Sequence, residues 1–335
     1  MRARTDSLVA VPRAEPIVRV VRSGLEESVH LGHVAVADAE GRLVARLGDP
    51  FHPVFLRSAT KPLQAAVSLS LFDEDLPDRL VAALCGSHNG EPVHVAAARA
   101  VLHRGGLGVS ALRCPPALPL DRGAMLAAGR PRRIFHNCSA KHAGMAVASA
   151  LGGLDIRTYP RPSHRLQRRV LRAVRRGTGV ERPRIGVDGC GVPVHGVPLA
   201  AAATLYARLL APERFGRLGR PVERAVDAMR AEPYLVAGRG RIDTAVMEQV
   251  PGLVVKVGAE ALHCAAVPAL GLGVAVKVAD GGERASGPAL IHALWRLGAI
   301  DDAQLERLGR HARRPVTGGG RPVGEVVAAF SLRPR

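Results

Sequence analysis

Arg57-Ser58-Ala59-Thr60-Lys61-Pro62-Leu63-Gln64-Ala65-Ala66 places a serine and a lysine three residues apart where an apolar, helix-forming run opens. On a helix, positions i and i+3 share a face, so this spacing turns the Ser58 hydroxyl and the Lys61 amine the same way. The run predicts a helix from about Ser58 to Leu71, with Pro62 in its first turn, where proline is tolerated. Ser58 then sits at a helix N-terminus, where free backbone N–H groups favour a developing oxyanion. Serine is a poor nucleophile at neutral pH unless a neighbouring base takes its proton. A neutral lysine is such a base in Ser-x-x-Lys acyl-transfer enzymes. Alone, the pattern is equally that of a solvated helix start.

The rest of the chain adds weight to the lysine. Of 47 Lys+Arg residues only Lys61, Lys141, Lys256 and Lys277 are lysine. Where a surface cation suffices, this chain writes arginine. Arginine stays protonated, whereas lysine shifts its pKa readily when buried. The four lysines are therefore candidates for work that needs a neutral amine or a compact ammonium.

With 335 residues and 47% hydrophobic content, the chain has material for a substantial globular core. A formal charge of +18 raises nucleic-acid or membrane binding, but aromatics are only 3%, too few for single-strand stacking platforms. The arginines are scattered apart from knots at 130–133, 165–176 and the C-terminus. The charge reads as a solvated surface, with no specific nucleic acid expected. Five cysteines, an odd number, argue against a secreted disulfide framework. No signal peptide is read in Met1–Arg13, and the apolar stretch 192–210 is too broken by Pro193, His195, Pro198 and Arg208 to span a bilayer. A cytoplasmic protein away from membranes is expected.

β-Branched runs at Ile17–Arg22, Ser28–Ala37 and Leu43–Leu47 predict an antiparallel meander. Helices follow at about 58–71, 77–84 and 92–104, then a mostly helical middle to about Ala231. Strand-like runs return at 252–257 and 272–278, before a helix at about 288–297. Sheet-forming pieces at both ends predict one sheet built from both, with the helical part inserted.

Four further stretches carry polar chemistry. Ser87-His88-Asn89 lies on a Gly-flanked turn suited to presenting a polar group into a cleft, although taken alone the stretch reads as ordinary turn chemistry. Asn137-Cys138-Ser139-Ala140-Lys141-His142 and Asp188-Gly189-Cys190-Gly191 supply two thiols that folding could bring to zinc, with His136, His142 and His195 as alternative nitrogen ligands. Two buried free cysteines are the plainer reading. Lys256-Val257-Gly258 ends a strand that could face the serine helix. Lys277 is read as structural or as a partner of Asp280.

In this order, Arg-Ser-Ala-Thr-Lys-Pro, Cys-Gly-Ser-His-Asn-Gly-Glu, Asn-Cys-Ser-Ala-Lys-His-Ala-Gly, Asp-Gly-Cys-Gly-Val-Pro and Lys-Val-Gly-Ala-Glu together resemble the bacterial L-asparaginase II family. These are the serine β-lactamase-like and glutaminase-like asparaginases. The resemblance spans about Val18 to Ala329. It implies an α/β (α+β) fold: an antiparallel sheet from both chain ends, flanked by helices, with a helical insertion. Residues 16–330 form one catalytic unit in this reading, with sheet portions at about 16–56 and 240–330. The insert is about 57–239, and residues 1–15 and 331–335 are loose termini.

The resemblance further implies two catalytic Ser–Lys pairs, Ser58 with Lys61 and Ser87 with Lys256. Arg57, His88, Gly258 and Glu260 are implied as substrate-binding residues. Cys138, Lys141 and Cys190 match a zinc site supported by Asp188. Val257 departs from the family pattern, where serine is expected. The implied activity is hydrolysis of L-asparagine to aspartate and ammonia by a homodimer. The alternatives are glutaminase or β-lactam-type acyl transfer on the same fold, or a non-catalytic Arg-rich polyanion binder.

Overall fold

The computed structural model describes residues 14–334. Its strands are β1 Glu15–Arg22, β2 Leu25–Asp38, β3 Leu43–Leu47, β4 Pro53–Phe55, β5 Arg184–Val187, β6 Pro193–Pro198, β7 Val254–Gly258, β8 Leu262–Val267, β9 Leu272–Val278, β10 Arg313–Gly318, β11 Arg321–Ala328 and β12 Arg333–Pro334. Its α-helices are α1 Lys61–Leu69, α2 Asp78–Cys85, α3 Pro92–Arg104, α4 Arg122–Ala128, α5 Ser139–Leu151, α6 Arg165–Thr178, α7 Leu199–Arg208, α8 Gly219–Ala231, α9 Pro233–Val236, α10 Ile242–Gln249, α11 Glu283–Arg296 and α12 Asp302–Ala312.

The main sheet is antiparallel and runs β10-β11-β1-β2-β9-β8-β7, with β3 on β2 and β12 on β3. Both chain ends build it, as expected. β2 is its spine: its first half pairs β1, and its second half pairs β9 and β3. The first half is mostly exposed, with only His30 buried, whereas residues 32–37 are buried on both faces. The reason is that α7 packs against β2 and β9 while α11 packs against β9, β11 and β8. Doubly covered strands read as continuous apolar runs, and β8 and β9 do so. Gly273 permits the contact, because a Cβ there would lie 1.9 Å from the Ala203 carbonyl oxygen of α7.

Several expectations need correction. The insert is not wholly helical: β5 and β6 join β4 in a three-stranded sheet. The Val-His-Gly-Val alternation of β6 sits where the broken apolar stretch was noted. The serine helix is split, with Arg57–Thr60 forming a 3₁₀ turn before α1. α11 begins at Glu283 and holds Pro288 inside it, five residues earlier than read. The alanine-rich strand β8 and the hairpin β10–β11 carried too little alternation to be read. At the C-terminus, residues 333–334 pair with β3 and are not loose. The loose leader falls almost entirely on residues outside those described, and Glu15 already belongs to β1. Lys277 does not pair with Asp280. Its amine donates to the Val278 carbonyl, and Asp280 instead meets His30 at 2.7 Å. Among the described residues no helix is long and apolar enough to cross a membrane.

Candidate active site

The small sheet places the serine turn. β4 pairs with β6, and the Leu56 N–H continues that ladder to the His195 carbonyl at 2.9 Å. Arg57 follows with φ +47, a conformation that is costly for a residue with a side chain, roughly 1–3 kcal/mol. The Arg57 Nε donates to Asp188 Oδ1 at 2.6 Å, which holds this corner from outside. Ser58 is half-buried, and neither its hydroxyl nor its N–H has a partner among the described residues. In a 3₁₀ turn side chains at i and i+3 line up, so Lys61 stands directly over Ser58 along the turn.

Lys61 is buried and does not spend its amine on Ser58. Nζ donates to Ser87 Oγ at 2.9 Å, to the Gly86 carbonyl, and at 3.5 Å to the Asn137 carbonyl. The segment after α2 is extended here and pinned from two sides. Ser87 N–H and Asn89 N–H donate to the Val236 and Ala237 carbonyls, and His88 N–H donates to Asn137. Gly86 must be glycine, since a Cβ would lie 2.9 Å from the Leu235 and Val236 carbonyl oxygens. Ser87 is thereby fixed beside Lys61, 2% exposed.

Lys256 is not on Ser87 but on a carboxylate that sequence reasoning missed. Its Nζ donates to Asp243 Oδ2 at 3.2 Å, and Asp243 Oδ1 meets His263 Nε2 at 2.7 Å. All three are at most 2% exposed. Burial pulls the Lys256 pKa down to about 8; Asp243 opposes this, and the positive charges of Lys61 and Arg241 add to it. Asp243 itself is held well below the usual carboxylate range: burial opposes ionisation, but Lys256 and His263 outweigh it. Asp243 lies in the first turn of α10 in an unremarkable Arg-Ile-Asp-Thr run, which gave no signal in sequence. It also takes the Val257 N–H at 3.1 Å, so that N–H is not free for an oxyanion. Gly258 brings β7 against the serine turn, because a Cβ there would lie 2.9 Å from the Leu56 carbonyl oxygen.

Cys138, Lys141 and Cys190 converge as expected. Lys141 Nζ donates to Cys190 Sγ at 2.9 Å, and the thiols of Cys138 and Cys190 are in hydrogen-bond contact. The hydrogen bond from Cys190, then the charges of Lys61 and Lys141, holds Cys138 well below the ordinary thiol range. Burial opposes the Lys141 ammonium, yet the two sulfurs raise its pKa. Asp188 Oδ2 lies 3.5 Å from Cys190 Sγ, linking this cluster through Arg57 to the serine turn. Among the described residues no three His, Cys, Asp or Glu side chains form a metal cluster, and the lysine is the further donor atom that lies on Cys190. Two buried thiols and an amine suit zinc in chemistry. His142 lies against Cys190 with its Nε2 otherwise unpartnered, while His136 Nδ1 accepts from Cys138 N–H. His195 sits on β6 with no charged neighbour perturbing it, and burial alone pulls its pKa to about 4.

Of the residues implied to bind substrate, Arg57 and Gly258 border the site. His88 does not present a free nitrogen: Nε2 meets Ser139 Oγ at 3.1 Å and Nδ1 accepts from Gly90 N–H at 3.1 Å. Glu260 is exposed at the tip of the β7–β8 hairpin with φ +61.

The family model for L-asparaginase II matches residues 18–328. The chain belongs to the L-asparaginase II family. As a member it is an amidohydrolase. Among solved structures it is similar to a β-lactamase from Mycobacterium bovis, at 18% identity over 80% of this chain and 95% of that one, with a TM-score of 0.42. It is also similar to a probable glutaminase from Bacillus subtilis complexed with 6-diazo-5-oxo-L-norleucine. That match has 12% identity over 80% of this chain and 84% of that one, with a TM-score of 0.36. No curated protein matches it.

Proposed function

We propose that this L-asparaginase II chain hydrolyses the side-chain amide of L-asparagine to aspartate and ammonia through a serine acyl-enzyme. The observation that carries the reading is the buried Lys61–Ser87 contact, 2.9 Å, one turn after a half-buried and unpartnered Ser58. Ser58 is the nucleophile, since it is the more exposed serine. Its oxygen attacks the carboxamide carbon while Lys61 as the free amine takes its proton. The unpartnered Ser58 N–H stabilises the oxyanion at the start of the turn. The proton passes from Lys61 to Ser87 and on to the departing nitrogen as the C–N bond breaks. Water then cleaves the ester by the reverse route, returning the proton to Ser58 and releasing aspartate. Lys256 and Asp243 set the charge around this path.

Zinc, held by Cys138, Lys141 and Cys190, would supply a fixed positive charge that orients the substrate. Cytoplasmic location and a homodimer complete the reading.

The test is ammonia release from L-asparagine by wild type, Ser58→Ala and Ser87→Ala, with L-glutamine and a chromogenic β-lactam as rival substrates. A diazoketone analogue of the substrate, located by peptide mapping, should mark Ser58. A label on Ser87 reverses the roles of the two serines, and faster turnover of either rival replaces the substrate.

A further inference from the structure

A second concave site lies behind the Lys256–Asp243–His263 chain, a cleft of about 450 Å³. Its walls come from opposite ends of the main sheet: Val257 from β7 at one edge, and Arg314 and Pro315 from β10 at the other. Arg241 enters before α10, and α12 breaks at Gly309 (φ +28, ψ −102), after which Arg310 and His311 line the cleft.

The charge here is one-sided. Arg241, Arg310 and Arg314 make no ion pair among the described residues, and Arg241 is held only by Asn89 Oδ1 at 3.2 Å. Against them stand Glu283 and Asp243, and Asp243 is already committed to Lys256 and His263. His263 also lines the cleft. It is 1% exposed, its Nε2 is spent on Asp243, and its Nδ1 has no partner. With Nε2–H donated to Asp243, Nδ1 is an acceptor, and a ligand donor in the cleft would satisfy it.

We propose that this cleft binds a small polyanion, a molecule carrying two or more oxyanion groups, with Arg241, Arg310 and Arg314 as forked donors; His263 Nδ1, an acceptor, meets only a hydroxyl or other donor of that ligand. Ser58, Lys61 and Ser87 are not among the residues that line it, and the proposal is independent of which amide the serines cleave.

Calorimetric titration of the full chain at about 0.15 M salt, where surface charge is well screened, tests it with pyrophosphate and with citrate. Saturable one-to-one binding is expected, weakened by at least about tenfold in Arg310→Ala/Arg314→Ala, since two charge-assisted contacts are lost. The control Arg172→Ala/Arg175→Ala removes equal charge from the exposed face of α6 and should bind as wild type. The tighter of the two probes decides between phosphate and carboxylate ligands. Equal weakening in both double variants, no saturable binding of either probe, or displacement by L-asparagine overturns the proposal, the last by making the cleft part of the amide site.

Discussion

The Lys61 amine donates to the Ser87 hydroxyl at 2.9 Å across 26 positions of sequence, and to no side chain of its own turn. Lys61 therefore belongs to the Gly86–Ser87 segment as much as to the Ser58 turn. Removing the Ser87 hydroxyl should break the proton path and leave the fold intact. Ser87→Ala is expected to lower kcat for ammonia release by about 10²–10⁴-fold, the range of general acid–base catalysis. The melting temperature should stay close to wild type. A Ser87→Ala enzyme with undiminished kcat would remove Ser87 from the path.

Lys256 gives the reaction a pH limb. Its folded pKa near 8 lies below the ordinary lysine value, so the neutral fraction rises as pH passes upward through about 8. If the neutral amine serves the reaction, kcat/KM should climb through that region. Asp243 raises this pKa, so Asp243→Asn should move the limb to lower pH. A limb that stays in place or moves to higher pH in Asp243→Asn would assign it to another group.

Zinc removal should separate binding from turnover. Chelation, followed by metal analysis of the protein, is expected to raise KM for L-asparagine more than it lowers kcat, because the serines already supply the nucleophile. Cys138→Ser should lower zinc content and reproduce the same split. A collapse of kcat at unchanged KM would place the metal in the chemical step instead.

Gly258 tests the docking of β7 on the serine turn. A methyl group there meets the Leu56 carbonyl oxygen at 2.9 Å and the Leu262 side chain at 3.1 Å, which leaves little room to yield. Gly258→Ala is expected to cost about 1–3 kcal/mol in denaturant unfolding, as overpacking does. Activity should fall with it, because Leu56 leads directly into Ser58. Gly24→Ala, where no atom lies within 4 Å, probes a positive-φ turn without that contact and should leave activity unchanged.

Much of this protein was legible in one dimension. Strands β1, β2, β3 and β9 announced themselves because their residues alternate or run apolar between turns, and backbone sterics fix the rest locally. The rarity of lysine singled out four lysines, of which Lys61, Lys141 and Lys256 are buried at polar clusters and Lys277 is only half-buried. The convergence of Cys138, Lys141 and Cys190 also follows the motif reading. β8, β10 and β11 were not legible, because their burial depends on α11 and on pairing partners far away in the chain. The partners of the lysines belong to the same class. Sequence spacing paired Ser58 with Lys61, and the family pattern paired Ser87 with Lys256. The packing of α2, α9 and α5 instead brings Ser87 to Lys61, and α10 brings Asp243 to Lys256. Spacing reports which side chains share a local face. Which buried amine meets which hydroxyl or carboxylate is decided by how distant elements pack, because a desolvated charge takes the nearest partner that the finished core offers.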